Sequence, residues 1–218
     1  MHHDVHADGD LEGLARDGAT YIAAAARDAV AARGHFTMAV SGGHNPWTMF
    51  RELTSCDVPW EQTSIFQVDE RVAPLGDDDR NLTHLVDSLS GVGANIVAMP
   101  VQDQDLDAAT VHYEQQLPAR FDLIHLGLGP DGHTASLVAN DPVLEVSDRL
   151  VALTRPYQGR RRMTLTYPAL ARCEQLLWLI TGEETRRALA RLLAGDDAIP
   201  AGRVRAPRSL VMTDLAVD

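Results

Sequence analysis

The chain of 218 residues contains no lysine, and all 19 of its basic residues are arginine. This absence removes Schiff-base chemistry and the lysine of a P-loop together. A phosphate or carboxylate must be met by arginine, whose planar fork suits bidentate contact, or by backbone N–H groups. Cysteine is scarce: Cys56 and Cys173 stand far apart with no CxxC partner, so no thiolate zinc site is expected. Both are expected to be buried and reduced. No run approaches the roughly 18 consecutive apolar residues of a membrane span. Residues 1–10 are polar, without the apolar stretch of a secretory signal. Positive charge is in deficit, since 31 acidic residues leave a net charge of −12. Such a molecule as a whole repels nucleic acid and anionic membranes. A cytoplasmic protein with no nucleic-acid or membrane partner is expected.

What is present is ordinary globular composition, 45% apolar and 23% charged, arranged as alternating strands and helices. Helical spacing over 10–33 stops at Gly34, and an apolar strand over 36–40 runs into Ser41-Gly42-Gly43. Asn45 is expected to cap a helix that has Pro46 at its first position and runs to about Leu53. Further strands are expected over 64–68, 95–99, 121–126, 150–154, 163–166, 175–180 and 209–212. Helices are expected through Leu82, Leu85 and Leu89, over 108–117 and 183–193, with a helical turn or two over 134–138. The fold class that follows is α/β: a mostly parallel open sheet with helices on both faces, Rossmann-like and doubly wound, with a small additional strand region. Residues 11–218 read as a single domain and residues 1–10 as a disordered tail, in which His2, His3 and His6 carry no site.

Three segments that follow strands carry the chemistry. Ser41-Gly42-Gly43 lies between a strand and a helix, where the backbone can approach an anion, or where a tight turn alone needs glycine. In Asp69-Glu70-Arg71 strand alternation turns Asp69 and Arg71 to one side and Glu70 to the other. Arg71 is then aimed at an anion, or forms a plain surface ion pair. In the 127–133 segment, Gly-Leu-Gly-Pro-Asp-Gly-His, His133 is placed at the start of a short helix whose dipole favours neutral imidazole, a state that accepts a proton from water. Asp131 orients the ring or caps the helix. Arg160 and Arg161 read as a solvated cluster, and Arg162, next to a strand, points inward to an anion.

These segments occur in the order and spacing of the 6-phosphogluconolactonases. The match extends through 134–137, Thr-Ala-Ser-Leu, 162–166, Arg-Met-Thr-Leu-Thr, and 181–184, Thr-Gly-Glu-Glu, and it covers nearly the whole chain from Leu11. The resemblance implies hydrolysis of 6-phospho-D-glucono-1,5-lactone, in the oxidative pentose phosphate pathway, by water activated on His133 and oriented through Asp131. It requires neither metal nor cofactor. It also implies that Ser41, Gly42, Gly43, Asp69, Arg71, Gly129 and Arg162 line the site and hold the phosphate or the developing oxyanion. The partner would be a small sugar-phosphate lactone, and the protein a monomer or homodimer. Departures from the family pattern are His44-Asn45 in place of Ser-Thr, Val72 in place of tryptophan, and Arg80 before Asn81. The alternatives are a sugar-phosphate binder without turnover and, further off, an aldose-ketose deaminase or isomerase, which would lack its acid at Val138.

Overall fold

The structure is a computed structural model and describes residues 1–217. Its strands are β1 (Asp4–Ala7), β2 (Phe36–Val40), β3 (Thr63–Gln67), β4 (Asp69–Arg71), β5 (Asn95–Val97), β6 (Leu123–Leu126), β7 (Val151–Leu153), β8 (Arg162–Leu165), β9 (Gln175–Ile180) and β10 (Arg208–Thr213). The helices are α1 (Leu11–Arg33), α2 (His44–Leu53), α3 (Asn81–Ser88), α4 (Leu106–Gln116), α5 (Tyr167–Leu170) and α6 (Arg186–Leu193). Seven strands form one sheet in the order β1-β10-β9-β6-β2-β3-β5, with every pairing parallel. The other three form an antiparallel sheet, β4-β8-β7.

The sequence explains the layers. Alternation along β9 sends Leu177 and Leu179 into one core and Leu176, Trp178 and Ile180 into the other. The first core is closed by α1, α2 and α3, through residues such as Ile22, Phe50 and Leu85. The second is closed by Tyr113 of α4, Leu170 of α5, Leu189 of α6 and the small sheet, which contributes Val151, Met163 and Leu165. Strands covered on both faces are predominantly apolar. The doubly wound arrangement with a small extra sheet is therefore the one the alternation implied.

Helix α1 begins where the Asp10 carboxylate accepts the N–H groups of Glu12 and Gly13, and it ends at Gly34. Helix α2 begins two residues before the expected point: Gly43 is the cap, and Asn45 lies inside the first turn with its amide donating to Thr181 Oγ1. Cys56 is half-buried rather than buried, Cys173 is buried, and both are free thiols.

The expected disordered tail is instead an edge strand. Asp4 to Ala7 pair in parallel with Leu210 to Thr213, and Asp8 N–H donates to the Thr213 carbonyl at 3.0 Å. His3 Nδ1 lies 2.8 Å from Ser209 Oγ. The reason lies in β10, which offers an unpaired backbone edge; pairing there needs no apolar alternation in the strand that is added.

Candidate active site

The chain leaves β2 toward β3 and leaves β6 toward β9, in opposite directions along the sheet. The exit loops of these two neighbouring strands therefore diverge and open a crevice at their carboxyl ends, the usual ligand position in such sheets. A cavity of about 360 Å³ lies there. The loop after β2 contributes Ser41, Gly42 and Gly43, the loop after β6 contributes Gly129 and His133, and the loop after β9 contributes Thr181 and Glu184. Asp69 and Arg71 of β4 and Arg162 of β8 complete it. The sequence-predicted lining residues thus converge on one crevice, with Asp131 behind His133.

His133 and Asp131 form a hydrogen-bonded pair. His133 Nδ1 is 2.5 Å from Asp131 Oδ1, and the His133 backbone N–H donates to the same oxygen at 3.1 Å. Partial burial works to raise the Asp131 carboxyl, but the hydrogen bonds from His133 prevail and hold it below the ordinary carboxylate range. An ionised carboxylate only accepts, so in the neutral imidazole Nδ1 is the nitrogen that carries the proton and Nε2 the one with the lone pair. The ring lies against Gly129, where a Cβ would stand 2.1 Å from both Nδ1 and Cε1. No other residue leaves room for it.

The expected helix after His133 is absent. Residues 134–137 form a tight turn closed by a Thr134–Leu137 bridge, with Ala135 at φ +51°. The dipole argument for a neutral imidazole loses its helix, and the Asp131 hydrogen bond takes over the orienting role. What disfavours the helix is the side-chain bonding of the turn: Thr134 donates to the Gly127 carbonyl at 2.8 Å, and Ser136 donates to Asp69 Oδ2 at 2.6 Å.

Alternation along β4 holds. Asp69 and Arg71 face the crevice, and Glu70 turns into the interior. Burial raises the Asp69 carboxyl, opposed by the Ser136 bond and by the charges of Arg71 and Arg162. Arg71 donates to the Asp79 carbonyl at 2.6 Å and to Asn81 Oδ1 at 3.2 Å. Asn81 also donates to the Asp69 carbonyl at 2.9 Å, and a Cβ at Gly42 would meet its Oδ1 at 2.1 Å. Gly42 therefore lets the first loop pass over the residue that holds Arg71. Glu70 accepts the N–H groups of Asn81 and Leu82, each at 2.8 Å, and so caps α3. Its Oε2 also lies 3.1 Å from Nε of Arg80, a fully buried ion pair.

Arg162 is buried, its guanidinium donates to Gln158 Oε1 at 3.0 Å, and its Nε has no hydrogen-bond partner among the described residues. Ser41 Oγ is likewise buried and unpartnered. Arg160 departs from the expected solvated cluster: it pairs with Asp77 at 3.1 Å and Asp79 at 2.9 Å, because the β7–β8 hairpin tip packs beside the loop before α3. Arg161 is exposed as expected.

Sequence reading did not find Asn81, Thr181 or Glu184 as site residues, and all three line the crevice. Each had a signal: Asn81 is a polar residue directly after Arg80 at a helix start, and Thr181 and Glu184 belong to the 181–184 motif. Among the described residues, His6, Asp8 and Asp17 bring possible metal-ligand atoms within 4.8 Å of one another; none of them lines the crevice. Among the same residues no helix is long and apolar enough to cross a membrane.

Residues 9–213 match the family described as glucosamine-6-phosphate isomerases/6-phosphogluconolactonase. The chain is 36% identical over 181 residues to a 6-phosphogluconolactonase of Synechocystis, covering 76% of this chain and 75% of that one. It is 33% identical over 210 residues to the 6-phosphogluconolactonase of Mycobacterium tuberculosis, covering 85% of each. A crystal structure of 6-phosphogluconolactonase from Thermotoga maritima superposes with a TM-score of 0.85 at 26% identity, over 97% of this chain and 98% of that one. A structure from Shewanella baltica, at 23% identity and a TM-score of 0.88 over 97% of each chain, shows the same fold.

Proposed function

Because the chain belongs to the family of glucosamine-6-phosphate isomerases and 6-phosphogluconolactonases, we propose that it hydrolyses 6-phospho-D-glucono-1,5-lactone to 6-phospho-D-gluconate in the oxidative pentose phosphate pathway. The observation that carries this reading is the His133–Asp131 pair standing in a crevice lined by two arginines. Nε2 of His133 takes a proton from water as the water oxygen attacks the lactone carbonyl carbon. The C=O electron pair moves onto oxygen, and the resulting oxyanion meets donors already in place. When the bond to the ring oxygen breaks, that oxygen takes the proton back from the imidazolium. A lactone is an activated ester, so no covalent nucleophile is needed.

Ser41, the Gly42-Gly43 backbone, Arg71 and Arg162 divide the phosphate and the oxyanion between them. Asp69 lines the same wall and supplies counter-charge to Arg71 and Arg162. Arginine clamps suit a phosphate dianion bidentately, which lysine does not. The cytoplasm as compartment belongs to the same reading and is supported by the two free thiols.

The test is hydrolysis of freshly generated 6-phosphogluconolactone against its spontaneous rate at mildly acidic pH, beside unphosphorylated gluconolactone. Rapid hydrolysis with a marked preference for the phosphorylated lactone is expected. No rate above the spontaneous one would overturn the reading, and equal kinetics for the two lactones would overturn the phosphate clamp.

A further inference from the structure

We propose that Tyr157 is a positioning residue for both halves of this site, its ring steadying the His133 imidazole and carrying the Arg162 guanidinium on its face. The inference rests on the hydrolase reading above and adds to it a residue outside the matching motifs. His133 has one side-chain hydrogen bond, through Nδ1, and about a quarter of its side chain is exposed, 23%. One bond leaves the ring free to pivot about it. Tyr157 meets that ring edge to face, with centroids 5.7 Å apart and an angle of 63°. Arg162 lies over the same tyrosine, its central carbon 4.9 Å from the ring centroid. Its Nε has no partner, and one terminal nitrogen is held by Gln158, so the aromatic face is what fixes the plane of the fork.

Tyr157 is itself well held. It opens a tight hairpin turn in which its N–H donates to the Arg160 carbonyl at 2.9 Å, with Gln158 at φ +51° and Gly159 at φ +81°. Two left-handed residues in succession are the mark of the hairpin turn whose twist matches its strands. Arg160 then ties this tip to Asp77 and Asp79, and the Asp79 carbonyl holds Arg71. One short hairpin therefore sets the base and one arginine directly, and the second arginine through Asp79. Partial burial and the neighbouring Asp131 charge raise the Tyr157 phenol above its ordinary value, so it stays neutral beside that carboxylate.

The experiment compares Tyr157→Ala, Tyr157→Phe and Arg162→Ala, and the Tyr157→Ala/Arg162→Ala double variant, by lactone kinetics and by calorimetric titration with 6-phosphogluconate. Tyr157→Ala is expected to lower kcat and raise KM, each about three- to tenfold, the scale of a lost ring contact. Tyr157→Phe, which keeps the ring, restores most of both. In the Arg162→Ala background the KM effect disappears and the kcat effect stays, because the two act through different partners. Wild-type kinetics in Tyr157→Ala overturn the inference, as does a Tyr157→Phe impaired as much as the alanine variant, or a KM effect that persists without Arg162. A wild type that binds 6-phosphogluconate but leaves the lactone at its spontaneous rate overturns the hydrolase reading alone. In that case unchanged affinity in Tyr157→Ala overturns the inference too. A wild type that neither binds nor hydrolyses overturns both.

Discussion

Along β9 all the side chains from Gln175 to Ile180 are buried, and five of the six are apolar. Strand β4, by contrast, is three residues long and carries two acids and an arginine. The large sheet is held by apolar faces pressed between two layers of helices. The small sheet packs one apolar face on the second core and keeps its other groups in place by pairing charges. Asp69 and Glu70 show the division at single-residue scale. One faces the crevice between two arginines; the other lies in the interior against Arg80 and the start of α3. A rigid apolar platform positions the loops, and the polar attachment beside it brings the charges that meet an anionic ligand.

This contrast can be broken or sharpened by measurement. His133→Ala should lower kcat by about 10² to 10⁴, the usual contribution of a general base, while the urea midpoint hardly moves. An unchanged rate would remove His133 from the chemistry. Glu70→Ala should destabilise by about 3–5 kcal/mol, because it leaves Arg80 charged and buried without its partner. A loss below about 1 kcal/mol would mean that the small sheet does not depend on that pair. Arg71→Ala should raise KM for the phosphorylated lactone about tenfold, the cost of one charge-assisted contact, and leave unphosphorylated gluconolactone almost unaffected. Equal effects on both lactones would assign Arg71 to the carbonyl end.

A pH-dependent effect belongs to the large sheet. His125 on β6 is fully buried against Phe50 with neither ring nitrogen bonded, and burial pushes it down to about 3. Below the unfolded value, about 6.5, the unfolded chain takes up a proton that the native state refuses. Stability contributed here is constant above that pH and falls, by about 1.4 kcal/mol per pH unit, as the pH drops from there toward the native value. His3, lowered to about 4 mainly by burial, acts in the same direction. Denaturant unfolding of His125→Leu between pH 7 and pH 5 should show a flatter profile than the wild type; parallel profiles would exonerate His125.

The legible parts of this molecule were those in which local pattern and tertiary demand agree. The strand over 36–40 and the strand over 175–180 have the expected bounds, because burial on both faces requires continuous apolar runs that end at turn residues. Helix α1 shows its acidic cap and closing glycine in the sequence. The site loops were legible because each follows such a strand. Strand β1 was not, since its partner edge supplies the reason for it and its own residues, Asp4 to Ala7, are all exposed. The turn after His133 was missed because its stability comes from hydroxyls reaching Gly127 and Asp69. Tyr157 was invisible, since nothing near it in the sequence reports that a hairpin tip folds over a histidine 24 positions earlier.

The two short outer strands of the large sheet have one more consequence. At one border stands β1, four residues with an aspartate and a histidine, and at the other β5, three residues long. Just inside the first lies β10, six residues long and carrying Val211 and Met212, a far better template for a strand from another copy. Strand β1 occupies that ladder over four residues and leaves a shorter edge at the border of the sheet.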